Sequence, residues 1–168
     1  MKTKLFFSVL GAISLLAGCA SYSGRGLVPG QSTANDVQAL MGAPAEQLKA
    51  ANGDTVLYYP RGPMGMHTYA VHVSSGGVMQ SIEQLLAVEN LKKLVPGVTT
   101  TAQVREDFGP PGRISRLDRQ QRDVWEYRMW GPSQEPYYLY VQISSDGIVR
   151  EVLFLKDYNR EPGGLGKG

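Results

Sequence analysis

This 168-residue chain has few residues that carry redox or metal chemistry, with one cysteine and two histidines. A single cysteine excludes an intramolecular disulfide and any cysteine-based zinc cluster. Two histidines leave little from which to build a histidine-rich metal site. Excess charge is also lacking, since 17 Lys and Arg stand against 15 Asp and Glu, a net +2. Nucleic-acid binders need a clustered positive excess to meet phosphates, so that class of partner is not expected. No apolar run reaches the ~20 residues that a membrane-spanning helix requires. Glycine clusters at 62–65 and 163–168 lack the flanking strand and helix of a phosphate-binding loop. No Gly-x-Ser-x-Gly occurs, and Glu106-Asp107 is the one adjacent carboxylate pair. A hydrolase would have to recruit His67 or His72, which a strand would point to opposite faces. The reading is therefore non-catalytic, with no cofactor and no metal.

What is present begins at the N-terminus. Lys2 and Lys4 precede about a dozen mostly apolar residues and then Leu16-Ala17-Gly18-Cys19. A charged start, a short apolar core and small residues form a secretory signal. Its end resembles a bacterial lipobox, in which the chain is cut before cysteine and that cysteine is acylated. The lone cysteine sits at the motif's one meaningful place. Several acyl chains anchor stably where one does not, because each buried methylene contributes ~0.8 kcal/mol. Ala20 is not the aspartate that retains such lipoproteins in the inner membrane, so the periplasmic face of the outer membrane is the expected address. Taking Lys2 and Lys4 from the 17 basic residues leaves 15 against 15 acidic ones, a neutral mature chain.

The remainder is organised by a repeat. Leu27-Val28-Pro29-Gly30 recurs 67 residues later as Leu94-Val95-Pro96-Gly97. In the same alignment Thr33 matches Thr100, Asp36 matches Gln103, Gly42 matches Gly109 and Pro44 matches Pro111. Val56 to Tyr59 then match Val124 to Tyr127, and Val71 to Val78 match Val141 to Ile148. In each copy Thr33 or Thr100 caps a helix, with Asp36 or Gln103 completing a capping box. Gly42 and Gly109 end the helices, ahead of Pro44 and Pro111. Alternating apolar residues then form three or four antiparallel strands, the first at 45–50 or 113–117. A further helix is expected near 87–94. The fold class is α+β, in two tandem units of short helices on antiparallel sheets. The expected boundaries are a signal at 1–18, a lipidated linker at 19–26, repeats at 27–86 and 87–156, and a flexible tail at 157–168.

Two sets of residues suit binding. Arg113, Arg116, Arg119 and Arg122 recur every three residues, as a contact for anionic lipid or an acidic partner. Strand alternation turns Trp130, Tyr138 and Tyr140, together with Tyr58 and His72 of the first copy, away from the helices. Such residues favour a protein interface; alternatively, the two copies' faces cover each other.

The sequence around Gly30-x-x-Thr33-x-x-Asp36-Val37 and Gly42-x-Pro44 resembles the signature of BamE (SmpA/OmlA) lipoproteins. Gly97-x-x-Thr100-x-x-Gln103-Val104 with Gly109-x-Pro111 matches it more fully, including the Gln. The resemblance implies a non-enzymatic outer-membrane lipoprotein that binds barrel-assembly components and supports envelope integrity. Tandem units also resemble the β-lactamase inhibitor protein fold. The alternative function is thus a periplasmic inhibitor or protein-binding module that uses the outward aromatic face.

Overall fold

In a computed structural model, residues 23–50, 52–61 and 65–158 are described. The signal segment, Cys19 and the residues from 159 onward lie outside them.

The fold is α+β with two four-stranded antiparallel sheets. Helix α1 (Ala34–Met41) is followed by β1 (Glu46–Lys49), β2 (Thr55–Arg61), β3 (His67–Val73) and β4 (Met79–Gln84). Helix α2 (Thr101–Phe108) is followed by β5 (Arg113–Leu117), β6 (Arg122–Trp130), β7 (Pro136–Ser144) and β8 (Val149–Lys156). Strand order in both sheets is sequential, so every connection is a simple meander. The segment expected as a helix near 87–94 is a 3-10 helix, Val88–Lys93. At six residues it is too short to develop an α-helical hydrogen-bond ladder against the core.

The repeat holds down to single hydrogen bonds. The Gly30 and Gly97 amides donate to the Met79 and Val149 carbonyls at 2.8 and 2.7 Å. The Ala34 and Thr101 amides donate to the Gly77 and Gly147 carbonyls at 2.9 and 2.8 Å. These bonds pin each helix start to the turn of its own last hairpin. Both sheets also slip register at matching positions, between His72 and Val73 and between Gln142 and Ile143.

Each helix is closed as its residues dictate. The Thr33 hydroxyl accepts from the Asp36 amide while the Thr33 amide donates to the Asp36 carboxylate at 2.7 Å. Thr100 and Gln103 make the same reciprocal pair. Val37 and Met41 of α1 pack on Leu57, Tyr59, Val71, Val73 and Met79. Val104 and Phe108 of α2 pack on Trp125, Tyr127, Met129, Leu139, Val141 and Ile143. Each sheet thus has an inner face toward its own helix and an outer face turned away from it.

The outer face of the first sheet is where the two units meet. Tyr58, Ala70 and Leu85 form a separate buried cluster there, with Val56 against it. A side chain added at Gly109, just past the end of α2, would lie 2.8 Å from the Thr68 methyl and 3.3 Å from the Tyr58 ring. The C-terminal end of α2 is therefore seated on the outer face of the first sheet. Gly24, placed by sequence in a linker, is buried, and Asp157, placed in a flexible tail, is buried and ion-paired.

Two outcomes follow. Gly42 and Gly109 share one backbone conformation, φ 83 and ψ −170 against φ 74 and ψ −165, which is open essentially to glycine alone. Nothing lies within 4 Å of an added side chain at Gly42. Gly42→Ala should therefore cost only the backbone strain, about 1–3 kcal/mol. Gly109→Ala should cost about 1–3 kcal/mol more, from overpacking. Urea unfolding of both variants measures the difference, and equal costs would contradict the docking.

The caps differ in titration. The Thr33 amide and hydroxyl hold the Asp36 carboxyl below its ordinary pKa. A lowered folded-state pKa stabilises above the unfolded value near ~3.9 and is lost as pH falls through the folded value. The Thr33 amide, which donates to the Asp36 carboxylate, should lose exchange protection relative to its intrinsic rate below about pH 4, whereas the Thr100 amide, whose acceptor Gln103 does not titrate, should keep its protection. Asp36→Asn should remove the difference.

Candidate functional site: an open aromatic sheet face

The two outer faces are built from equivalent strand positions with different side chains. In the first sheet Tyr58 pairs with Ala70, and in the second Glu126 pairs with Tyr140. Bulk has moved from the second strand of the sheet to the third. Thr68 is likewise replaced by Tyr138. Small Thr68 and Ala70 leave a depression into which Gly109 fits. Tyr138 and Tyr140 fill that depression in the second sheet and form a ridge instead.

The Tyr138 and Tyr140 rings stack at 5.8 Å and 19° between planes. Cross-strand neighbours Leu155 and Leu153 lie opposite them, 51% and 36% exposed. On the other side the Arg128 guanidinium sits 5.3 Å from the Tyr138 ring centroid. Arg128 is nearly buried and pairs with buried Asp157 at the end of β8. The pair therefore fixes a cation against the ring where the two middle strands and the edge strand meet. Burial, then the charge of Glu126, raises the Tyr140 hydroxyl above its ordinary pKa, so it remains a neutral donor. The face combines stacked tyrosines with exposed leucines, and tyrosine is enriched at protein interfaces.

The residues singled out by sequence separate in space. Trp130, Tyr138 and Tyr140 do share the outer side of the second sheet. Tyr58 does not belong to an accessible surface. It is 1% exposed, and burial raises its pKa. The physical reason is the second unit's helix end seated over it. The two faces do not cover each other either, because the helix end of one unit meets the sheet of the other. His72 is half-buried on the first sheet, with Nε2 3.0 Å from Glu83 Oε1.

Trp130 reaches a groove of about 360 Å³ lined by His67, Gln84, Glu89, Pro132 and Gln134. Burial lowers the His67 pKa, keeping the ring neutral near pH 7. His67 and His72 face opposite sides of β3, as alternation requires.

The four arginines do not form one patch. Arg116 pairs with Asp123 at 2.7 Å. Arg122 donates to Gln142 at 3.1 Å and pairs with Glu151 at 3.4 Å. Arg113 lies on the tyrosine side opposite Glu126, and Arg119 lies in a 3-10 turn (Asp118–Gln120) beyond β5. Two of the four are thus neutralised by carboxylates.

Spacing did not reveal the contacts that join the units. Arg105 on α2 pairs with Glu46 on β1, its Nε donating at 2.9 Å, and this bond raises the arginine's pKa. Within the second unit, the Tyr127 hydroxyl donates to the Gly109 carbonyl at 3.0 Å, fixing the glycine from behind. Residues 59 apart in sequence carry no local signature of pairing.

Among the described residues no group of three or more His, Cys, Asp and Glu is placed to hold a metal ion. Likewise, among them no helix is long and apolar enough to cross a membrane. No family model matches the chain, and no curated protein matches it. A solved structure similar to it is a DUF4309 family protein (YjgB) from Bacillus subtilis subsp. subtilis str. 168. The identity is 22% over 79% of this chain and 84% of that one, with a TM-score of 0.31. A likeness that distant carries no argument about this chain.

Asp157→Ala would remove a buried ion-pair partner of Arg128 and should destabilise the protein by about 3–5 kcal/mol. Replacing both partners, Arg128→Met with Asp157→Leu, should recover much of that loss. Thermal unfolding of the single and double variants provides the measurement. Equal destabilisation by both would show that the ion pair does not hold the edge strand.

Proposed function

We propose that this protein is a non-catalytic, lipid-anchored binding module on the periplasmic face of the outer membrane. In this reading it is a tandem of two BamE-like units, acylated at Cys19. It holds a protein partner of the envelope, such as a component of β-barrel assembly, on the outer face of its second sheet.

One observation carries the reading. The same outer-face positions are buried by a helix end in the first unit and open in the second. Tyr138, Tyr140, Leu153 and Leu155 there are a surface with no described segment of the chain over it. The lipobox supplies the address, and the repeated Gly-x-x-Thr motif supplies the resemblance to the BamE family. The inhibitor reading uses this same face and differs in the partner that it grips.

The test is affinity purification of the acylated protein, wild type beside Tyr138→Ala/Tyr140→Ala. Interface tyrosines of this kind cost ~1 kcal/mol or more each on truncation, so the double variant should bind at least ~30-fold more weakly. Its thermal unfolding should stay close to wild type. Barrel-assembly components retained by wild type and lost by the variant support the proposal. A single soluble periplasmic enzyme retained instead supports the inhibitor reading. Collapse of the fold in the double variant would make the tyrosines core and end both.

A further inference from the structure

One corner of the inner sheet face differs in chemistry between the two units. In the second unit it carries Met129, fully buried, with Tyr137 opposite on β7. The Tyr137 ring stacks on Phe154 of β8 at 4.3 Å. The equivalent strand positions of the first unit are Arg61, His67 and Gln84. An apolar corner in one copy is thus a polar one in the other.

Two donors in the polar corner have no acceptor. Among the described residues the buried Tyr59 hydroxyl has no hydrogen-bond partner. Its counterpart, the Tyr127 hydroxyl, donates to the Gly109 carbonyl. In the first unit Arg61 reaches the end of α1 instead, where its Nη2 donates to the Met41 carbonyl. The guanidinium carbon then lies 5.0 Å from the Tyr59 ring centroid. Arg61 Nε is buried and likewise has no partner among the described residues. Arg105, Arg116, Arg122, Arg128 and Arg150 each pair with a carboxylate. Half-buried Arg61 pairs with none among the described residues.

Burial raises the Tyr59 pKa, so the hydroxyl keeps its proton. A buried donor without an acceptor forfeits its hydration and gains nothing in return. Both missing partners are acceptors, and one of the two donors is cationic. A carboxylate answers that demand, since its oxygens accept from a hydroxyl and, with charge assistance, from a guanidinium N–H.

We propose that Tyr59 and Arg61 form a binding site for a carboxylate at the end of α1. An outward turn of the half-buried Arg61 side chain admits the anion, which then draws on both donors. The site lies on the inner side of the first sheet, apart from Tyr138 and Tyr140 on the outer side of the second. It depends neither on the lipid anchor nor on the partner of the tyrosine face.

The repeat suggests the variants. Arg61→Met installs the side chain of the counterpart position, and Tyr59→Phe removes the hydroxyl alone. Acetate is the probe, exchanged for chloride at constant ionic strength and followed by NMR of the full-length protein. The Arg61 Nε–H and Gly42 amide resonances should move saturably. Arg61→Met should abolish the Gly42 shift while keeping the folded spectrum. Tyr59→Phe should weaken binding at least ~10-fold, the worth of a hydrogen bond to a charged group. Its thermal unfolding without acetate should be no lower than that of wild type. N-acetyl-glutamate α-methylamide is titrated in parallel. Tighter binding than acetate supports the site with a protein side chain as its ligand, and equal binding supports it with a small free acid.

Resonances that stay in place as acetate replaces chloride, in folded protein, would overturn the proposal. So would a Tyr59→Phe variant that melts well below wild type, because its hydroxyl would then have a partner within the fold.

Discussion

The structure depends on a missing volume. Thr68 and Ala70 are small where their counterparts in the second sheet are tyrosines, and the gap they leave admits the end of α2. Tyr58, Ala70 and Leu85 are buried where that helix end is seated. A unit of ~60 residues is marginal alone, since it buries too little of its surface. The seat for Gly109 adds a second buried cluster to the first unit and fixes the second unit upon it. Tyr127 holds the glycine from one side and Glu46 holds Arg105 from the other.

This joint is heterologous, since the helix end of one unit meets the sheet of the next. Heterologous contacts between similar units leave one unused surface at each end. At one end that surface is α1 with its glycine, Gly42, where an added side chain would meet none of the described residues within 4 Å. At the other it is the outer face of the second sheet. Duplication alone would have repeated the socket there, and a chain of molecules would follow. The exchange of Thr68 and Ala70 for Tyr138 and Tyr140 removes the socket and substitutes an aromatic ridge. The change that ends the stack therefore also creates the candidate binding surface.

Much of the local architecture was legible in the sequence. Capping boxes depend on residues three apart, and both were read from Thr33-Asp36 and Thr100-Gln103. Strand alternation placed Tyr138 and Tyr140 on the outer side correctly, because period two is a local property of the chain. The same rule placed Tyr58 on its face correctly and misjudged its accessibility, since alternation assigns a face and not what covers it. The 3-10 segment at 88–93 was read as a full helix because its apolar spacing suits either form. The Arg105–Glu46 and Arg128–Asp157 pairs were invisible, being fixed by sheet register and unit docking. The arginine series appeared as one patch in sequence, whereas strand pleating and carboxylate neighbours divide it.

The central claim is that Gly109 sits in the socket formed by Thr68 and Tyr58, and proton NMR tests it most directly. A nuclear Overhauser cross-peak between the Gly109 α-protons and the Thr68 γ-methyl should be strong, with a weaker one to the Tyr58 ring. Strong intra-unit cross-peaks accompanied by the absence of both would show two units folded but not joined in this way.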